Sequence, residues 1–160
     1  MTGADVLQLL HVAAAFWFVA GLVGRDVVLS RARRSEDLRQ VRELLAVSTP
    51  FERLMAVPGS FAVLAFGVAT WWAQKLPVWG QGTRWVTVSL LLFVTLVPLV
   101  PLVFLPKGRT FEAALARAIE IGRVTPELSG AFRDPLVAIA RTYELVVVAV
   151  VLLLMVTKPF

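Results

Sequence analysis

The chain has no cysteine, so disulfides, thiolate metal sites and cysteine nucleophiles are excluded at once. Charge is scarce as well: 17% of residues are charged, against about 25% in a soluble domain. The first five residues, Met1–Asp5, contain no Lys or Arg. The positive n-region of a cleaved signal peptide is therefore missing, and the first apolar stretch reads as a retained span. What fills the chain instead is hydrocarbon. Of its 160 residues 58% are hydrophobic, and the mean hydropathy is +0.78.

That apolar content is gathered into four runs, about residues 6–24, 54–73, 85–105 and 137–157. A transmembrane helix needs roughly 20 mainly apolar residues to cross about 30 Å of hydrocarbon, and four such runs leave little room for a soluble domain. The sequence predicts an all-α polytopic membrane protein forming a single membrane domain over residues 1–160. The short second connection makes the second and third runs antiparallel neighbours and points to an antiparallel four-helix bundle.

The net charge of +5 and pI near 10.7 do not point to nucleic acid, because the basic residues stand between the apolar runs. Thirteen of the sixteen Lys and Arg residues lie in the first and third connections and their flanks. These are Arg25, Arg31, Arg33, Arg34, Arg39, Arg42 and Arg53, then Lys107, Arg109, Arg117, Arg123, Arg133 and Arg141. By the positive-inside rule both connections face the cytoplasm and both termini lie outside. Trp71, Trp72, Trp79 and Trp85 flank the short second connection as an aromatic belt at the outer interface, while Trp17 lies deep in a span.

Helix starts are punctuated. Thr49-Pro50-Phe51-Glu52 combines an N-cap threonine, a proline at the first helical position and a glutamate three residues after the cap. Asp134-Pro135 repeats the device before the fourth run, and Thr125-Pro126 starts a short turn after Gly122. Residues 35–46 and 110–121 read as short amphipathic helices on the cytoplasmic side. Pro98 and Pro101 interrupt the third run and predict a bend, since each removes a backbone donor. Ala20, Gly21 and Gly24 in the first run, and Gly59, Ala65 and Ala69 in the second, suit close helix packing.

Two groups of residues are candidates for function. His11, the one histidine, lies within the first span on a stripe with Gln8, Ala15, Phe18, Leu22 and Arg25, and an ionisable group in a membrane is by default functional. Its bland alternative is a hydrogen bond to Gln8 or to a hydroxyl such as Thr87 or Ser89. Met155, near the outer end of the fourth span, is the partner that would make a His/Met pair for haem or Cu(I). The second group is an ionic layer. The apolar run after Glu144 is only 13 residues, about 20 Å at 1.5 Å per residue, so Glu144 is drawn below the cytoplasmic surface. Arg141, Arg25, Asp26, Glu52 and Arg53 stand at the same end of their spans, and the expectation is that they neutralise it and one another.

Leu9-Leu10-His11-Val12 followed by Trp17, Gly21 and an Arg-rich stretch resembles the opening of a bacterial family of small integral membrane proteins, domain-of-unknown-function family 2269. The closing Arg141-Thr142-Tyr143-Glu144 and Lys158-Pro159 are similar too. The resemblance implies a four-helix membrane protein with no assigned activity. The opening helix also resembles the wider copper-resistance-D-like and haem-associated membrane proteins, which carry additional histidines that this chain lacks. The functional expectation is a non-catalytic ligand- or cofactor-binding or accessory bundle in the lipid bilayer, alone, as a homo-oligomer or within a larger membrane complex. The alternative is a haem- or copper-binding protein that uses His11.

Overall fold

A computed structural model describes residues 2–77, 80 and 82–159, and the regular structure among them is helical. Trp79 of the aromatic belt lies outside the described residues. The chain divides into two compact units, Met1–Ser35 with Arg39–Leu76, and Glu36–Leu38 with Pro77–Phe160.

The first unit is built on a pair of long helical arms. Helix α1 (Gly3–Ala32) opens with a capping box, in which the Thr2 hydroxyl accepts from the Asp5 amide and the Asp5 carboxylate accepts from the Thr2 amide. The second arm is a continuous helical stretch, Leu38–Ala73, of 36 residues. It comprises α2 (Leu38–Pro50), a π-helical turn (Phe51–Ala56) and α3 (Val57–Ala73). The expected helix start at Thr49-Pro50 is corrected here, because Pro50 closes one helical stretch and leads directly into the next. The Thr49 and Ser48 hydroxyls turn back onto the Leu45 carbonyl, at 3.0 and 2.9 Å, instead of capping. Pro50 has no N–H for the carbonyl four residues earlier. The wider turn that follows, with Val57 N–H reaching the Glu52 carbonyl, keeps the helix going past it.

The arms run antiparallel in a register that the side chains mark along their length. The Gln74 side-chain amide donates to Gln8 at 3.1 Å near one end. Further along, Gly67 faces His11, Gly59 faces Phe18, and Gly21 faces Met55 and Ala56. A Cβ on Gly21 would stand 2.7 Å from the Ala56 backbone nitrogen, and one on Gly59 would stand 2.9 Å from Phe18 Cα. Glycine at these two sites lets the backbones touch, as the sequence suggested.

In the second unit the third apolar run is not one helix. Helix α4 (Arg84–Val94) stops after 11 residues, turns follow at 95–98, and a π-helical turn (Val100–Phe104) leads into α5 (Leu105–Ile121). The prolines explain the break. Pro98 offers no donor to the Val94 carbonyl, which takes the tighter bond from Val97 N–H at 3.1 Å. Leu99 N–H likewise closes a tight turn onto Leu96 at 3.1 Å. Gly122 ends α5 in the left-handed region at φ 78°. Thr125 caps α6 (Pro126–Phe132), and Asp134 caps α7 (Pro135–Thr157) through the Leu136 and Val137 amides. Helix α4 lies against α7, and α5 lies against α6, where the Phe111 and Phe132 rings meet edge to face at 4.8 Å.

Among the described residues, three helical segments are long and apolar enough to cross a membrane: Gly3–Ala32, Leu38–Ala73 and Pro126–Thr157; α4 is apolar but shorter. Their large apolar side chains point outward, with Phe16 74%, Trp72 83% and Val156 80% exposed. Contiguous exposed apolar surface of this kind suits a lipid environment.

A candidate site around His11

His11 sits one turn below the Gln8–Gln74 pair, on the α3-facing side of α1. Its Nδ1 lies 3.0 Å from the Val63 carbonyl oxygen. A carbonyl only accepts, so Nδ1 is the donor in this bond and Nε2 is the ring nitrogen left for another partner. The ring has room because residue 67 is glycine: a Cβ there would fall 2.9 Å from His11 Cε1 and 3.1 Å from Nδ1. The Nδ1 partner is therefore a backbone carbonyl, an acceptor the sequence did not bring forward. A backbone carbonyl holding one ring nitrogen is the usual way to orient the other toward a ligand, and it is equally a satisfied hydrogen bond in a packed interface.

A second interhelical bond escaped the sequence reading. Trp17 Nε1 donates to the Leu54 carbonyl at 3.0 Å. Leu54 precedes Pro58 by four residues, so its carbonyl loses its ordinary helical donor. The indole supplies another from α1. The signal was present in the pairing of one deep tryptophan, which needs an acceptor, with one internal proline, which frees one.

The charged residues fall into both units. In the first, Arg25 is buried and its Nε lies 3.2 Å from the Asp26 carboxylate. Glu52 and Arg53 are exposed on the π-helical turn. In the second, Arg141 and Glu144 occupy successive turns of α7, both half-buried. Met155 is half-buried near the far end of the same helix.

The second unit has its own polar fastenings. At the break in the third run, the Thr95 and Tyr143 hydroxyls meet at 2.7 Å, which ties the end of α4 to α7. Lys107 Nζ donates to Asp134 Oδ2 at 2.7 Å, while Oδ1 of the same carboxylate caps α7. Asp134 precedes the apolar run that starts at Val137. The hydrogen bond from Lys107, joined by those from the Val137 and Leu136 amides, holds its carboxyl below the usual range, against a smaller opposing effect of desolvation. The Ser89 hydroxyl, buried in α4, has no hydrogen-bond partner among the described residues.

Chemically, the arrangement offers one oriented imidazole. Among the described residues, no three His, Cys, Asp or Glu side chains come together to hold a metal ion. In comparisons with known proteins, a family model described as predicted integral membrane protein, DUF2269, matches residues 5–159. No curated protein matches this chain, and no solved structure does.

Proposed function

Because the chain belongs to that family of predicted integral membrane proteins, we propose that it is a four-span protein of the bacterial inner membrane with a binding or accessory role and no catalysis of its own. The observation that carries this reading is the His11 ring, anchored by Nδ1 on the Val63 carbonyl over Gly67. Such a group binds or packs; catalysis would need a second acid–base partner placed beside it. Four crossings follow if α4 and the turns after it complete the third span, since non-helical backbone is tolerated at membrane depth where protein covers it. The thirteen basic residues of the first and third connections then face the cytoplasm. Reporter fusions after Phe160 and within residues 110–121 test the orientation. The expected result is an outside-active reporter at the first site and a cytoplasm-active reporter at the second. The reverse pattern overturns it.

The ionic layer belongs to the same proposal. On this topology Arg25, Asp26, Glu52, Arg53, Arg141 and Glu144 all stand at the cytoplasmic ends of their spans. Breaking a buried ion pair costs roughly 3–5 kcal/mol, so Glu144→Ala is expected to lower the yield of membrane-inserted protein. Wild-type yield and melting for Glu144→Ala and Glu144→Gln would remove the layer from the proposal.

A second reading is favoured by the ring's orientation: with Nδ1–H on a carbonyl, Nε2 is the atom that would bind haem iron or Cu(I). His11 would be its sole protein ligand, or be joined by Met155 or by His11 of a second protomer. The resemblance of the opening helix to copper-resistance-D-like proteins goes with this reading. The test is the visible spectrum and metal content of protein purified from haem- and copper-replete cells. A Soret band or bound copper that His11→Ala abolishes supports it, and a colourless, metal-free preparation leaves His11 as a packing residue.

A further inference from the structure

Helix α1 is 30 residues long, about 45 Å at 1.5 Å per residue, whereas the hydrocarbon it crosses is about 30 Å thick. The excess lies at the basic end. The apolar run stops at Gly24, and α1 continues for two further turns to Ala32. Arg31 is therefore about 10 Å beyond the end of the run, with Arg33 and Arg34 just past the helix terminus, at the depth of lipid headgroups. All three are exposed, and among the described residues none of them is ion-paired. The neighbouring Arg39, by contrast, is matched by Glu43 at 3.3 Å. The platform is fixed, since Ala32 is completely buried and the Ser35 hydroxyl bonds to Gln40 at 2.6 Å across the connection.

We propose that Arg31, Arg33 and Arg34 form a binding site for the phosphate of an anionic phospholipid, with phosphatidylglycerol as the simplest ligand. Guanidinium groups bind phosphate oxygens through paired N–H donors, and a helix that overshoots the hydrocarbon presents them where those oxygens lie. The proposal rests on the membrane reading above, which alkaline-carbonate extraction tests separately: wild type and variants alike should resist extraction.

The experiment is lipid titration of the full chain in neutral detergent, read by native mass spectrometry, with phosphatidylglycerol and phosphatidylcholine compared at equal concentration. Wild type should prefer phosphatidylglycerol. An arginine at an anionic surface contributes about fivefold in affinity, so Arg31→Gln/Arg33→Gln/Arg34→Gln should weaken phosphatidylglycerol binding on the order of 100-fold and bring it to the phosphatidylcholine level. Arg109→Gln/Arg117→Gln/Arg123→Gln, which removes the same charge from the third connection, should keep the preference. Equal binding of the two lipids by wild type would overturn the proposal, as would an undiminished preference in the first triple variant or an equal loss in the second. Displacement of the lipid by millimolar inorganic phosphate would replace the lipid with a free anion as the ligand.

Discussion

Replacing Trp17 by phenylalanine keeps an aromatic ring in place and deletes one donor. In the structure that donor serves the Leu54 carbonyl at 3.0 Å, which Pro58 deprives of its helical partner. Interhelical hydrogen bonds in membranes average about 0.6 kcal/mol and reach about 1.7. This carbonyl has lost its usual alternative, so the upper part of that range applies, and Trp17→Phe should cost about 1–1.5 kcal/mol. The loss of apolar contact from indole to phenyl adds to this in any background. A double-mutant cycle with Pro58→Ala separates the two effects. Alanine in place of the proline restores an N–H to the Leu54 carbonyl, so Trp17→Phe in that background should cost about 1 kcal/mol less than in wild type. The assay is reversible unfolding in mixed micelles, followed by tryptophan-independent far-UV circular dichroism. A coupling energy within about 0.3 kcal/mol of zero would refute the account, because the indole would then contribute packing alone.

Gly21→Ala and Gly59→Ala should each destabilise: the gain in helix propensity is about 1 kcal/mol, but the new Cβ meets backbone atoms at 2.7 and 2.9 Å, and overpacking costs about 1–3 kcal/mol. Gly108→Ala, in α5 with nothing within 4 Å of the new Cβ, should instead stabilise by up to about 1 kcal/mol in the same melts. Gly67→Ala should weaken the α1–α3 pairing by displacing the His11 ring, and most of that cost should vanish when His11→Ala is combined with it. Asp134 has a carboxyl held below its ordinary 3.8, so its contribution is fully present above that value and is lost as pH falls through the lower folded value. The gap in melting temperature between wild type and Asp134→Asn should accordingly be flat from pH 7 to 5 and close below about pH 4.

Much of the architecture is local, and local features were legible. Residue type alone places apolar runs in lipid, because leaving about 20 hydrophobic residues in water is costly. Proline at the first helical position and a preceding Asp or Thr oxygen set the starts of α6 and α7, and Gly122 sets the end of α5, because each solves the hydrogen bonding of a helix end within a few residues. The same local rule misread Thr49-Pro50, where flanking sequence offered a cap but the helix ran on through a π-helical turn. Whether a proline starts a helix or is carried within one depends on what packs beside it. Likewise Pro98 announced an interruption, but only the tertiary structure shows that the helix stops and that Thr95 closes onto Tyr143 there.

The site residues were divided in the same way. Sequence picked out His11 because an ionisable group in a membrane needs a reason. It could not supply the acceptor, since every residue carries a backbone carbonyl and pattern does not distinguish among them. Val63 was selected by the close approach of two helices at Gly59 and Gly67, which brings together residues 52 positions apart. Trp17 and Leu54, 37 positions apart, were joined by the same register. Composition and spacing determined that these helices belong in a bilayer, because transfer from water acts on each residue separately. The tertiary fold decided which carbonyl each interhelical donor reaches, because that depends on a register set by where backbones can touch.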